Sequence, residues 1–206
     1  MNKNRLEAFS DGVFSIVITL LVLDIKFPEK EILTNGELLA TIRDTLPNIY
    51  TYIFTFLVVG LFWVAHNRVF AFVKQVDHYL LWANIFYLLT IAIIPYPASI
   101  LAKYSFFTVS IVFYSSVLFL CGLQHFHILN YLRNHPECSE SFFEGDARKQ
   151  ILRLSLVGPG LSALAIMSSL IVPAAGLIFL LLMLLFSMFF AQRFDRFKRN
   201  AQKNAL

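Results

Sequence analysis

One acidic residue lies inside the first apolar segment of the chain, which runs from Arg5 to Ile25. This residue is Asp11, and the segment is long enough to cross the roughly 30 Å hydrocarbon core of a bilayer as a helix. A charged side chain at that depth is costly, so it normally finds a polar partner, faces the interior of a helix bundle or marks an ion path. Arg5, Ser10 and Ser15 are close enough along the chain to be candidate partners.

The other residues of this segment divide into faces when they are placed on a helix. At about 100° per residue, four of them fall within a stripe about 60° wide, namely Gly12, Ile16, Thr19 and Leu23. Asp11 points about 140° away from Ile16. Around a symmetry axis the stripe would form two apolar rings, from Ile16 and Leu23, with a hydroxyl layer from Thr19 between them. Such rings can gate ions by dewetting, and the hydroxyls can replace part of a hydration shell.

A plainer interpretation of the same stripe is helix packing. Ile16, Leu20 and Leu23 could lie against another helix, and periodicity alone favours this alternative. Asp11, on the other side, would then be a structural partner for a neighbouring helix, with His66 and Asn67 as candidates beside Arg5.

The composition predicts a membrane protein. Of the 206 residues 58% are hydrophobic and 15% are charged, which departs from an average soluble domain in both respects. Six spans are predicted, at residues 8–26, 48–71, 78–95, 106–130, 149–171 and 174–193. We therefore expect an all-α, polytopic protein with one six-helix transmembrane domain over residues 1–206.

Proline and glycine predict several breaks in these elements. Residues 34–36, Thr-Asn-Gly, are expected to open a short surface helix that ends before Pro47. Pro95 and Pro97 should end or kink the third span, and residues 158–160, Gly-Pro-Gly, should bend the fifth.

The basic residues predict the orientation in the membrane. With the N-terminus placed inside, thirteen of the 17 Lys and Arg residues fall in inside segments and four in outside segments, which favours both termini in the cytoplasm of a multi-pass cell-membrane protein. These residues sit at helix ends and not on a continuous stripe, so no nucleic-acid partner is indicated. No cleavage site follows the first apolar run, which we expect to remain as a span.

Metal, disulfide and enzyme chemistry are not indicated. On a helix His125 and His127 diverge by about 200° and cannot chelate one ion, and His135 with Cys138 lacks a second ligand pair. Cys121 falls inside a span and Cys138 in a connection assigned to the cytoplasm, which argues against a disulfide. There is no nucleotide-binding glycine loop, nucleophile elbow or HExxH sequence, so we predict no enzyme, no metal and no cofactor.

A family resemblance starts from the residues around Asp11. Arg5, Phe9, Ser10 and Asp11 spell RxxxFSD at the start of the first of six spans. This pattern resembles the signature of the transmembrane protein 175 family of potassium channels, in its prokaryotic branch. The run FWVAHNRVF at residues 62–70 is also similar to that family. The resemblance implies a cation channel without the usual potassium filter, and no TVGYG-like sequence occurs in this chain.

The resemblance also implies roles for particular residues. In such channels the first helix of each subunit lines the pore, and the aliphatic constriction and the following threonine match Ile16 and Thr19, with Leu23 as the next apolar ring. The motif occurs once here, which implies a homotetramer around a central pore. The remaining candidates form a network that fixes the first helix: Arg5, Phe9, Ser10, Asp11, Trp63, His66 and Asn67.

These lines lead to one predicted function and two alternatives. We expect a potassium-permeable channel in the lipid bilayer that conducts monovalent cations passively, with K+ as permeant ion. A secondary transporter of an ion or small solute is the main alternative, because Pro95 and Pro159 could break two spans near the midplane. A passive scaffold protein of the membrane is the other.

Overall fold

The computed structural model describes residues 2–29, 31–139 and 151–203, and side chains as far as residue 189. Within these ranges the chain is helical and holds no strand, only an isolated bridge between Val73 and Ser139. The helices are α1 (Lys3–Leu20), α2 (Asn35–Phe70), α3 (His78–Ile93), α4 (Pro95–Lys103), α5 (Thr108–Asn134), α6 (Val157–Ser169) and α7 (Pro173–Lys203). A 3-10 turn, Leu21–Asp24, extends α1, and residues 151–155 form a helical segment before α6.

Five of the described helical segments are long and apolar enough to cross a membrane: Lys3–Asp24, Asn35–Phe70, His78–Lys103, Thr108–Asn134 and Ile151–Ser169. A shorter apolar helix, Pro173–Phe189, follows them. These six segments coincide with the six predicted spans, and the prediction of an all-α polytopic membrane protein is confirmed.

Helix α1 begins earlier than the apolar pattern predicted. The side chain of Asn2 accepts a hydrogen bond from the Asn4 backbone N–H at 3.0 Å and caps the helix. A capped start satisfies one of the free N–H groups of the first turn. The polar residues of the RxxxFSD motif are therefore helical from the first turn onward.

The prediction of a separate surface helix before the second span is wrong. A single helix of 36 residues, α2, runs through Pro47. Its start is capped by Thr34, whose hydroxyl accepts from the Glu37 N–H at 3.2 Å, while the Glu37 carboxylate accepts from the Leu33 N–H at 2.9 Å. Proline removes one helical hydrogen bond, and here this does not end the helix. At about 1.5 Å per residue, α2 is roughly 54 Å long and exceeds the thickness of the hydrocarbon core.

The predicted break at Pro95 is confirmed, because α3 ends at Ile93 and α4 begins at Pro95. The Gly-Pro-Gly sequence at residues 158–160 lies in the first turn of α6, so the interruption falls just before it, at Leu156. Pro159 there packs closely on α5, since a Cβ added to Gly122 would lie 2.8 Å from Pro159 Cδ.

Helices α2, α3 and α5 surround the core beside α1. The side chains of Tyr87 and Tyr114 are fully buried there. Tyr114 OH shares a hydrogen bond of 3.1 Å with Thr55 Oγ1, which connects α5 to α2. Helix α1 packs on α2 and α3, so its attachment depends on what these two helices present to it.

Candidate functional site

The two faces of α1 differ sharply in exposure. Leu6, Phe14, Val17 and Leu21 are buried against the rest of the chain. The opposite stripe is open: Ile16 is 59% exposed and Leu23 65% exposed, and Gly12 and Thr19 are also exposed. The predicted stripe of Gly12, Ile16, Thr19 and Leu23 therefore lies on the outside of the single chain, with no helix of that chain packed over it.

The hydroxyl of Thr19 is bound within its own helix. Thr19 Oγ1 donates toward the carbonyl oxygens of Ser15 and Ile16, at 3.0 Å and 2.9 Å. A hydroxyl has one hydrogen and two lone pairs, so the oxygen keeps acceptor capacity toward the outside. This is the polarity that a partly dehydrated cation needs.

On the buried side, a chain of hydrogen bonds joins α1 to α2 and α3. Asn84 Nδ2 donates to Ser10 Oγ at 3.0 Å, and Asn84 Oδ1 lies 2.8 Å from His66 Nε2. Ser10 Oγ itself donates to the Leu6 carbonyl at 2.8 Å, so it is free to accept from Asn84. The amide oxygen accepts, which makes His66 Nε2 the donor. All three side chains are buried.

The ring of His66 is held by aromatic neighbours from three helices. It stacks on Phe70 at 4.2 Å between centroids and lies nearly parallel to Tyr87 at 5.8 Å. Phe14 of α1 contacts it at 5.6 Å. The imidazole is therefore fixed by packing as well as by its bond to Asn84.

The acidic residue of the motif has a different partner. Trp63 Nε1 donates to Asp11 Oδ1 at 2.8 Å, which forms a second polar link between α1 and α2. Asp11 is half-buried and Trp63 is 39% exposed, so this link lies at the edge of the subunit core. The carboxylate is bonded toward α2 and not toward the exposed stripe.

The remaining motif residues lie apart from these two links in the single chain. Arg5 and Phe9 are both exposed. Six residues separate Arg5 from Asp11, which puts them about 120° apart on the helix, and they form no ion pair among the described residues. Asn67 is half-buried near the end of α2. The participation of Arg5, Phe9 and Asn67 in the network stays a prediction.

Asn84, at the centre of the buried chain of bonds, was not predicted. The available signal was a lone amide in the strongly apolar third span, which is unusual enough inside a membrane to suggest a polar partner. The sequence gives no indication of which partner that is, because Ser10 lies 74 positions away.

A separate polar cluster lies at the membrane boundary between α3 and α5. Asp77 caps α3, since its Oδ1 accepts from the Leu80 N–H at 2.7 Å, and its Oδ2 accepts from the Tyr131 hydroxyl. Tyr131 in turn stacks on His135 at 4.0 Å. Burial raises the pKa of the Asp77 carboxyl, but these hydrogen bonds and the nearby His135 lower it by more, so the pKa lies below its ordinary value.

No group of three or more His, Cys, Asp or Glu side chains able to hold a metal ion occurs among the described residues. Cys121 and Cys138 are both buried and unpaired with one another.

Fold and site together define a polytopic helical membrane protein whose first helix is attached by buried polar bonds and turns an apolar stripe outward. Residues 5–95 match the model of the family described as "Endosomal/lysosomal potassium channel TMEM175". With the relatives given next, this match shows that the chain belongs to the TMEM175 family.

The matching relatives are bacterial. A protein of Streptomyces collinus named as a potassium channel is 44% identical over 105 residues, which cover 50% of each chain. A potassium channel of a Chryseobacterium species is 43% identical over 95 residues, 46% of each chain. The matched region thus spans about half the length of these curated relatives.

One solved structure matches along almost the whole chain. The crystal structure of a lysosomal potassium-selective channel TMEM175 homologue from Chamaesiphon minutus superposes with a TM-score of 0.80 at 25% identity. The superposition covers 92% of this chain and 97% of that one. The predicted membership of the prokaryotic branch is confirmed.

Proposed function

We propose that this protein is a potassium-permeable cation channel, in which four copies of the chain surround a central pore lined by α1. The observation that carries the proposal is the exposed stripe of Ile16, Thr19 and Leu23 on a helix whose other face is firmly attached. The names of the relatives, and the membership of a family of ion channels rather than enzymes, support the same conclusion.

The spacing of the stripe suits a pore with stacked rings. At about 1.5 Å per residue, Thr19 lies about 4.5 Å along the axis from Ile16, and Leu23 about 10.5 Å from it. Four Ile16 side chains would form an apolar constriction that excludes water when it is narrow. The Thr19 hydroxyl oxygens would contribute to a modest preference among monovalent cations, and Leu23 would add a second apolar ring.

The polar bonds on the other side of α1 fix its rotation. The Asn84 and Trp63 links hold Ser10 and Asp11 toward α3 and α2. Because neighbouring residues on a helix differ by about 100°, fixing these two positions leaves the stripe pointing away from the subunit. Asp11 then acts as a structural residue and does not face the permeating ion.

The remaining assignments follow from charge and composition. The protein is a membrane protein, and we place it in the cell membrane with both termini in the cytoplasm, because thirteen of 17 basic residues then lie inside. K+ moves down its gradient, and no cofactor is required.

The experiment is a recording of K+ current from purified protein in planar bilayers. Ile16→Asn replaces the apolar ring with amides and is expected to raise the resting conductance, while Ile16→Leu keeps the ring apolar and serves as the control. Both variants must assemble like the unmodified protein by size-exclusion chromatography. Unchanged current in an assembled Ile16→Asn channel would place the gate elsewhere. Flux without unitary currents would indicate a transporter.

A further inference from the structure

A cavity of about 120 Å³ lies inside the subunit between α2, α5, α6 and α7. Its wall is apolar except for Arg68, His125, Ser155 and Ser187. Val64 and Leu154 of the wall are half-buried, so the cavity can be reached from outside the chain. Its volume is close to that of the roughly 150 Å³ apolar cavity that holds a benzene molecule, so the enclosed part fits a short stretch of hydrocarbon.

The wall runs along the direction of the membrane normal. Helix α2 contributes residues from Val58 to Val69, a rise of roughly 16 Å, which is about half of the hydrocarbon core. Arg68 lies two residues before the end of α2 at Phe70, where a long basic side chain reaches the membrane surface. An apolar slot therefore ends beside a guanidinium at the level of the lipid headgroups.

We propose that this cavity binds one acyl chain of an anionic phospholipid, with the lipid phosphate held at Arg68. The guanidinium is planar, permanently charged and suited to bidentate binding of phosphate. Basic pockets between membrane helices are a known arrangement for anionic headgroups. The charge of Arg68 and the apolar wall together select a ligand that has both parts.

The bound chain has a route to the attachment of α1. His125 in the cavity wall lies 6.2 Å from the Tyr87 ring, and Tyr87 is the ring parallel to His66. A lipid chain that packs on His125 therefore supports the aromatic stack that holds His66, and through Asn84 the position of α1. The proposal concerns a lipid site and does not depend on ion conduction.

Native mass spectrometry of the purified, delipidated full chain tests the proposal. Phosphatidylglycerol, phosphatidylcholine and glycerol phosphate are added separately as probes. We expect one phosphatidylglycerol per chain to be retained, with weaker retention of phosphatidylcholine and none of glycerol phosphate. Arg68→Gln should lower retention roughly tenfold, the scale of one hydrogen bond to a charged group. Gly158→Leu should lower it to a similar extent, because Gly158 lines the cavity and a Cβ there meets nothing within 4 Å.

Two matched variants separate the cavity from the general lipid surface. A Cβ at Gly160 also meets nothing within 4 Å, but Gly160 is exposed and outside the wall, so Gly160→Leu should leave retention unchanged. Arg153→Gln removes an exposed charge outside the wall and should also have no effect.

Four results would overturn the proposal. Equal retention by Gly158→Leu and Gly160→Leu would mean that the lipid is bound at the outer surface. Loss in Gly158→Leu with none in Arg68→Gln would mean a neutral apolar occupant. Equal retention of both phospholipids would remove the role of headgroup charge, and retention of glycerol phosphate alone would indicate a free-phosphate site.

Discussion

Replacement of Asn84 by leucine is expected to loosen the attachment of α1 to the rest of the subunit. Leucine is close to asparagine in size, so packing around the site changes little. The substitution removes the bond from Nδ2 to Ser10 Oγ at 3.0 Å and the bond between Oδ1 and His66 Nε2 at 2.8 Å. Ser10 keeps its bond to the Leu6 carbonyl, whereas His66 Nε2 is left as a buried donor.

The magnitude follows from the two lost bonds. Hydrogen bonds between membrane helices contribute about 0.6 kcal/mol on average and up to about 1.7 kcal/mol. Two of them give about 1–3 kcal/mol, and the buried donor of His66 moves the value above the lower limit. We expect a loss of about 2 kcal/mol in the free energy of unfolding, which is roughly thirtyfold in the equilibrium constant.

The assay is reversible unfolding of the purified protein in mixed micelles with increasing denaturing detergent. Thr90→Val is the matched control, because Thr90 is also buried on α3 but its hydroxyl donates to the Phe86 carbonyl of the same helix, at 3.1 Å. That variant loses no bond between helices and should change stability less. A double-mutant cycle with His66→Phe should show a coupling energy of at least about 0.5 kcal/mol between positions 66 and 84.

Two results would refute this reasoning. If Asn84→Leu and Thr90→Val destabilise equally, the bonds between helices do not attach α1. If the effects of His66→Phe and Asn84→Leu add without coupling, the two side chains do not act together.

Three further predictions use the same unfolding assay. Trp63→Phe removes the 2.8 Å bond to Asp11 and should cost about 0.6 kcal/mol without altering ion preference; an altered preference would place Asp11 in the ion path. Gly122→Ala puts a Cβ 2.8 Å from Pro159 Cδ and should cost about 1–3 kcal/mol, whereas Gly60→Ala, which meets nothing within 4 Å, should not; equal effects would contradict the packing of α5 on α6. The ionised Asp77 carboxylate, whose pKa is lowered in the fold, stabilises the protein above about pH 4, and this contribution is lost as the pH falls through the lowered pKa, so the deficit of Asp77→Asn should shrink below that pH; a pH-independent deficit would contradict it.

The features of the fold that depend on local pattern were predictable. Apolar run length locates the spans, and the fixed backbone angle of proline locates the break at Pro95. The exposed stripe of α1 also follows from its 100° periodicity. Pro47 shows the limit of this reasoning, because the same residue type lies inside a continuous helix there. Local sequence indicates where a helix can be interrupted, while packing around it decides whether it is.

Contacts between helices were predictable only in part. Asp11 in an apolar span called for a polar partner, and Trp63 was among the residues that the family resemblance implied for the network. Asn84 could not be assigned to Ser10 and His66 from sequence, because that requires knowing which faces of α1, α2 and α3 meet. The place of Arg5 likewise depends on a neighbour outside the single chain, since its side chain is exposed.

Thiol modification during current recording tests most directly whether α1 lines the pore. Ile16→Cys and Leu89→Cys place a thiol at side chains of similar exposure, 59% on α1 and 65% on α3, and the two native cysteines are buried. A membrane-impermeant, positively charged thiol reagent is applied to open channels carrying K+. Our account predicts that the current through Ile16→Cys is blocked while that through Leu89→Cys persists. An unaffected Ile16→Cys current together with a blocked Leu89→Cys current would contradict it.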